Sequence, residues 1–170
     1  MDKMSQALLL EEFDREFRVT RDVLERVPSD KLDYKPHAKS MSLGALAAHV
    51  ALMPWWMLIT LERDEINFVG FEMPPKVTTK EEILAAFDDY TRRARAALVA
   101  LPLEKWDEPW PVKNGDQVLH TVSREFSYRV WDMNHLVHHR GQLNLYLRLL
   151  DVPVATIYFN SADEPNMKFD

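Results

Sequence analysis

Residues 133–150 read MNHLVHHRGQLNLYLRLL and place three of the chain's six histidines within five positions. On an α-helix each residue turns by about 100°, so positions four apart differ in direction by only about 40°. His135 and His139 therefore point to one side, one turn apart, where two neutral imidazoles can reach a single metal ion. His138 points about 100° away from His139; a His135–His138 pair is the less well aligned alternative. Two ligands seldom hold a divalent ion tightly, so a third must come from elsewhere in the chain. His49 is the candidate. It stands on an otherwise apolar helix side, where a charged or unsatisfied ring is costly to bury and where coordination would satisfy it.

The side carrying His135 and His139 also carries Tyr128, Trp131, Gln142 and Tyr146, all within about 40° of His135 by the same rotation. Such a polar-aromatic strip reads as a pocket wall, with Trp56 facing it from the helix of His49. Gln142 or Tyr128 is suited to hydrogen-bond a substrate or the free N–H of a ligand ring. Asp132, about 60° from His135, is a weaker candidate for orienting a ring. Arg140 is expected at a helix interface or in an ion pair. His37, in a loop, and His120, in a hairpin, are expected to be ordinary surface or turn residues. The sequence marks no catalytic residue.

Other chemistries fail on the residues present. A zinc-protease helix needs Glu directly after the first histidine, and Leu136 stands there. A di-iron bundle needs a second carboxylate–histidine pair to match Asp132 and His135, and none occurs. There is no Gly-x-Ser-x-Gly elbow and no glycine-rich phosphate loop. With no cysteine in the chain, disulfides, thiolate ligands and cysteine nucleophiles are excluded.

The elements that must position these histidines follow from periodicity. A first helix is predicted from Lys3 to Val27, with Leu8, Phe13, Phe17, Leu24 and Val27 largely on one side and Pro28 ending it. A second, from the N-cap Ser42 to about Arg63, contains Pro54, which removes a hydrogen bond to the Val50 carbonyl and predicts a kink. Residues 67–77 read as a connector. A third helix opens with the capping box Thr79–Glu82 and runs to about Leu101. Asn114-Gly115 between β-prone runs predicts a hairpin over 108–122, with Pro109 and Pro111 restricting its first strand. The last helix is expected from Ser123 to Leu150, followed by a tail that packs back onto the body. Four long helices in a single domain over residues 1–170 predict an all-α four-helix bundle with a small hairpin insertion.

The length of 170 residues suits one domain, and the formal charge of −6 with scattered Lys and Arg gives no basic face for nucleic acid. The densest basic run, TRRARAAL (91–98), spreads Arg92, Arg93 and Arg95 around a helix and reads as solvated. The N-terminus lacks the basic region and small-residue site of a signal peptide. Residues 43–61 are apolar enough to resemble a membrane span, but they carry His49 and Pro54 and read as a buried bundle helix. A cytoplasmic protein that does not engage membranes is expected.

Taken together, YKPHAKSMSLGALAAHV (34–50) and NHLVHHRGQLNLYLRLL (134–150) resemble the DinB/YfiT-like superfamily of metal-dependent enzymes. The H-x-x-H-H-R-G-Q block is its more specific mark, and the small-residue helix start leading to His49 is the other. The resemblance implies a four-helix bundle holding one divalent ion, nickel or zinc, on His49, His135 and His139. It also implies homodimers, and relatives that act as thiol S-transferases or isomerases with low-molecular-weight thiols. The expected function is thus a metal-dependent, thiol-dependent S-transferase or hydrolase-like enzyme acting on a small molecule. A non-catalytic, stress-associated metal-binding bundle is the alternative, and a bundle whose histidines only hydrogen-bond is the third reading.

Overall fold

The computed structural model of the chain describes residues 3–164. Its elements are, in order, α1 (Lys3–Glu25), α2 (Leu43–Ala51), α3 (Met53–Glu62), β1 (Ile66–Asn67), α4 (Lys80–Ala100), β2 (Pro109–Asn114) and β3 (Gln117–Ser123). A last helix follows in three parts: a short α5 (Arg124–Phe126), a π-helical stretch Ser127–Met133, and α6 (Asn134–Leu149). Around the bundle, α1 packs against α4 and α6, and the α2–α3 pair packs against those same two helices. The all-α bundle expected from the sequence is the fold, with a small sheet added.

Phe13 and Phe17 of α1 stack at 3.9 Å, and Phe17 meets Phe87 of α4 at 5.8 Å. Around them Leu24, Leu43, Leu46, Leu98, Leu136, Leu143 and Leu147 are buried. Leu8 departs from the expectation: it is 58% exposed, while its neighbour Leu9 is buried. Relative to Phe13, Leu9 lies about 40° away on the helical wheel and Leu8 about 140°, so only Leu9 falls within the apolar stripe.

The caps sit where side-chain oxygens are available to orphan N–H groups. Ser42 Oγ accepts from Ala45 N at 3.2 Å, and Thr79 with Glu82 forms the complete capping box. The kink expected at Pro54 is a full break at Leu52, which separates α2 from α3 and places Pro54 in the first turn of the second piece. The segment Leu43–Glu62 is long and apolar enough to cross a membrane by length and composition, yet 61% of it is buried within the protein.

The hairpin forms with Asn114 paired to Gln117, so its two loop residues are Gly115 and Asp116 rather than Asn-Gly. Gly115 has φ 63°, the left-handed value that a type II′ turn reserves for glycine at that position. The connector hides a strand: β1 pairs in parallel with β2, Ile66 opposite Val112. Ile59, Ile66, Trp110 and Val112 then make a second apolar cluster, against which Trp55, Trp56, Phe71 and Trp131 pack.

The tail folds back as expected, burying Val154 and Ala155 and pairing Asp163 with Arg148 at 2.5 Å. Residues 165–170 lie outside the described residues.

Candidate metal centre

The loop before α2 fixes where His49 stands. Leu43 N and Gly44 N donate to the Tyr34 and Leu32 carbonyls, each at 2.8 Å. A side chain at Gly44 would come within 3.0 Å of Leu32 Cβ and 3.2 Å of its carbonyl oxygen, so only glycine lets loop and helix approach this closely. His49 follows little more than one turn later, facing α6.

There the three rings meet. His135 Nε2 lies 2.7 Å from His139 Nε2 and 3.3 Å from His49 Nε2. The ring centroids are 4.5 to 5.1 Å apart, and one ligand atom from each residue falls within 4.8 Å of the others. Nitrogens bound to one tetrahedral ion at about 2.0–2.1 Å would stand about 3.3 Å apart.

The other face of each helical ring is held. His139 Nδ1–H donates to Gln142 Oε1 at 2.8 Å, and the same amide's N–H donates to His138 Nε2 at 3.1 Å. His135 is hydrogen-bonded to the backbone of Trp131. With protons placed on those sides, the Nε2 atoms of His135 and His139 both present lone pairs to the common centre. Burial, and then the neighbouring rings His139 and His135, push the His49 pKa down to about 4. Burial likewise lowers His135, assisted by His139 and His138 and opposed by the bond to Trp131. Both rings are neutral at pH 7, the protonation state a ligand needs.

An apolar cavity of about 460 Å³ opens against His49 and His135, and Trp56, Trp110 and Trp131 form much of its wall. Trp110 is anchored by its indole N–H, which donates to the Arg63 carbonyl at 2.9 Å. The buried Arg124 guanidinium fastens the hairpin's exit to the end of α3, donating to the carbonyls of Thr60, Arg63 and Lys105 and pairing with Asp64 at 3.0 Å.

Of the aromatic strip expected from the sequence, Trp131 and Trp56 line this cavity; Tyr128, Gln142 and Tyr146 do not. Tyr128 is buried in the main core, edge-on to Trp106 at 5.3 Å. The reason is the π-helical stretch: a π turn holds about one residue more than an α turn, so the α rotation carried back from His135 misplaces Tyr128. Tyr146 keeps the expected direction but lies eleven residues along α6, about 16 Å from His135. Its hydroxyl donates to the Met41 carbonyl at 3.1 Å. Gln142 serves the rings from behind.

Asp132 is not a ring orienter. It is a buried cavity residue whose carboxyl bonds Thr60, and burial pushes its pKa up to about 8. His120 is exposed on β3, as expected of a surface residue, and it also borders the cavity, 6.4 Å from Trp131. The sequence reading missed Trp110, Thr60 and Ser127 as well. The alternation of Trp110 and Val112 along a strand was the one available signal for that wall. His37 is a turn residue as expected, its Nδ1 accepting from Lys39 N at 3.1 Å. Arg140 sits at the α1–α6 interface, paired with Glu16 at 2.6 Å.

Solved structures share this fold. A DinB-like protein from Bacillus subtilis superposes with TM-score 0.67 at 21% identity, covering 86% of this chain and 95% of its own. A DinB-like protein from Bacillus cereus gives 0.68 at 17% identity, with 88% and 95% covered. A protein described within the DinB family, from Exiguobacterium sibiricum, gives 0.66 at 21%, with 92% and 97% covered. At these identities the likeness speaks for the fold alone. No curated protein matches the chain. Residues 1–167 match the DinB family as a whole, and the chain belongs to it.

Proposed function

We propose that His49, His135 and His139 hold one divalent cation, nickel or zinc, and that the protein is a metal-dependent enzyme acting on a small molecule. The thiol-dependent S-transferase type is the reading that the family resemblance favours. One observation carries the metal: imidazole nitrogens from two helices converge at 2.7 and 3.3 Å, and the bonds made by the other nitrogens of His135 and His139 turn the lone pairs of those two rings toward each other. Neutral imidazoles so close repel unless a proton or a cation lies between them. A three-imidazole donor set suits zinc and nickel alike.

Among the described residues the cluster comprises three ligands, and a cavity adjoins it. Sites with three protein ligands and open access are the reactive kind, whereas structural ions are enclosed by four. That contrast favours an enzyme over a metal-stabilised scaffold. The cation would supply Lewis acidity, lowering the pKa of a thiol or water that reaches its open position. The chain's own work is to fix the rings through Gln142 and the Trp131 backbone, and to exclude water with Trp56, Trp110 and Trp131. A homodimer in the cytoplasm completes the reading, and sedimentation of the purified protein reports the dimer.

The test is consumption of a low-molecular-weight thiol by small electrophiles, with and without a chelator. Consumption that stops on chelation and returns with added zinc or nickel supports the transferase reading. Consumption indifferent to chelation contradicts it.

A further inference from the structure

The cavity beside the histidines contains a feature that ligation leaves unexplained. Asp132, on the π-helical stretch, is 4% exposed, and its Oδ2 is buried without a hydrogen-bond partner. Its carboxyl accepts a hydrogen bond from the Thr60 hydroxyl. Thr60 Oγ1 also lies 3.2 Å from Ser127 Oγ. With Thr60 donating to Asp132 its single proton is used, and Ser127 then donates to Thr60. That chain holds one carboxyl oxygen as an acceptor and leaves the other for something the protein does not provide.

The surroundings decide its charge. Titratable groups around Asp132 are His49 on α2, His120 on β3, and Tyr128 and His135 on its own helix; α3 contributes the uncharged Thr60. Among the described residues lining the cavity none is Lys or Arg. In the metal-free protein an ionised carboxylate so placed would be buried without a cation, which is costly, so there the acid stays protonated. Burial holding its pKa near 8 agrees with this. A neutral carboxylic acid in an apolar site is a hydrogen-bond donor.

We propose that the Oδ2–H of Asp132 is the donor that orients the substrate. The part of the substrate lodged in the cavity is then small, uncharged and apolar or aromatic, with one acceptor oxygen such as a ketone or aldehyde carbonyl. This deepens the enzymatic reading above and rests on it. The flat walls of Trp56, Trp110 and Trp131 take the apolar portion. In the metal-free protein the lack of a lining Lys or Arg disfavours a carboxylate or phosphate there. Asp132 has three roles in this arrangement: it binds, it selects a neutral acceptor, and it turns that acceptor toward the side of the cavity formed by His49 and His135.

The experiment is ligand-observed NMR with acetophenone, ethylbenzene and benzoate, on protein as purified and after chelation, with zinc binding measured in parallel. At pH 6.5 the chelated protein is expected to bind acetophenone roughly three- to tenfold more tightly than ethylbenzene, the span of one hydrogen bond, and benzoate no better than ethylbenzene. Asp132→Ala removes the preference. Asp132→Asn, of the same shape and with an amide donor, keeps it and carries it unchanged beyond pH 8, where the wild type loses it. Equal binding of acetophenone and ethylbenzene by the wild type overturns the proposal. So does a preference that survives Asp132→Ala, or one that persists in the wild type at pH 10. Absence of zinc binding alongside an intact preference defeats the metal reading and leaves the assignment of Asp132 standing.

Discussion

His139 gives its Nδ1 proton to Gln142 Oε1 at 2.8 Å and thereby turns Nε2 toward His135, 2.7 Å away. A glutamine three residues along the helix thus sets the tautomer of a candidate ligand. Gln142 is itself held, since its amide N–H reaches His138.

Substituting Gln142→Leu should weaken zinc binding by about ten- to a hundredfold while leaving the fold intact, because the residue's hydrogen bonds serve the rings rather than the core. Competition against a chromophoric chelator measures the change. His138→Ala, which removes only the outer link, should have a smaller effect. Equal affinity in wild type and Gln142→Leu would show that the amide does not orient the ring.

Asp132 predicts the pH dependence of stability. Its carboxyl pKa is 3.8 in the unfolded chain and about 8 in the fold. Below the lower value it is protonated in both states, and its stabilising effect is fully present. Between the two the unfolded chain ionises while the native state does not, so the native state loses stability as pH rises, and the loss levels off above about 8. Denaturant titrations of metal-free protein across this range should show a shallower decline in Asp132→Asn than in wild type. Parallel curves would mean that Asp132 is ionised in the native state.

The Arg140–Glu16 pair is buried, at 1% and 3% exposure, and Thr20 and Tyr158 add hydrogen bonds to it. Replacing Arg140 by Leu leaves the buried Glu16 carboxylate with only the half-exposed Arg15 and the Tyr158 hydroxyl as partners and should cost about 3 kcal/mol, the lower end of the range for breaking a buried pair. Replacing both partners with apolar residues should recover much of that cost. Equilibrium unfolding in urea measures both. Equal losses in single and double variants would point to packing as the source.

How much of this was legible depends on the range of each interaction. Helix caps at Ser42 and Thr79, and the shared side of His135 and His139, are local matters of spacing and were readable. So was the conflict of a histidine on the apolar side of α2. Tyr128 was misread because the rotation assumed α geometry through a stretch that is π-helical, and nothing in SYRVWDM announces the extra residue per turn. Trp110 and His120 were hidden for another reason. Their place in the cavity depends on a hairpin packing against a helix about fifty residues earlier in the chain. The strand Ile66–Asn67 is short, and its pairing partner lies far along the sequence. Asp132 stood in plain view, but its burial and its unpartnered oxygen come from tertiary packing alone.

The central claim is met most directly by metal content. Protein purified without chelators or added metal, and analysed by inductively coupled plasma mass spectrometry, should carry about one nickel or zinc ion per chain. The ion should be lost in His49→Ala and in His135→Ala variants that retain the helical circular dichroism of the wild type. A wild-type chain that carries no divalent ion and takes up none from buffered zinc or nickel, or a variant that keeps its ion without His49 or His135, would contradict the account.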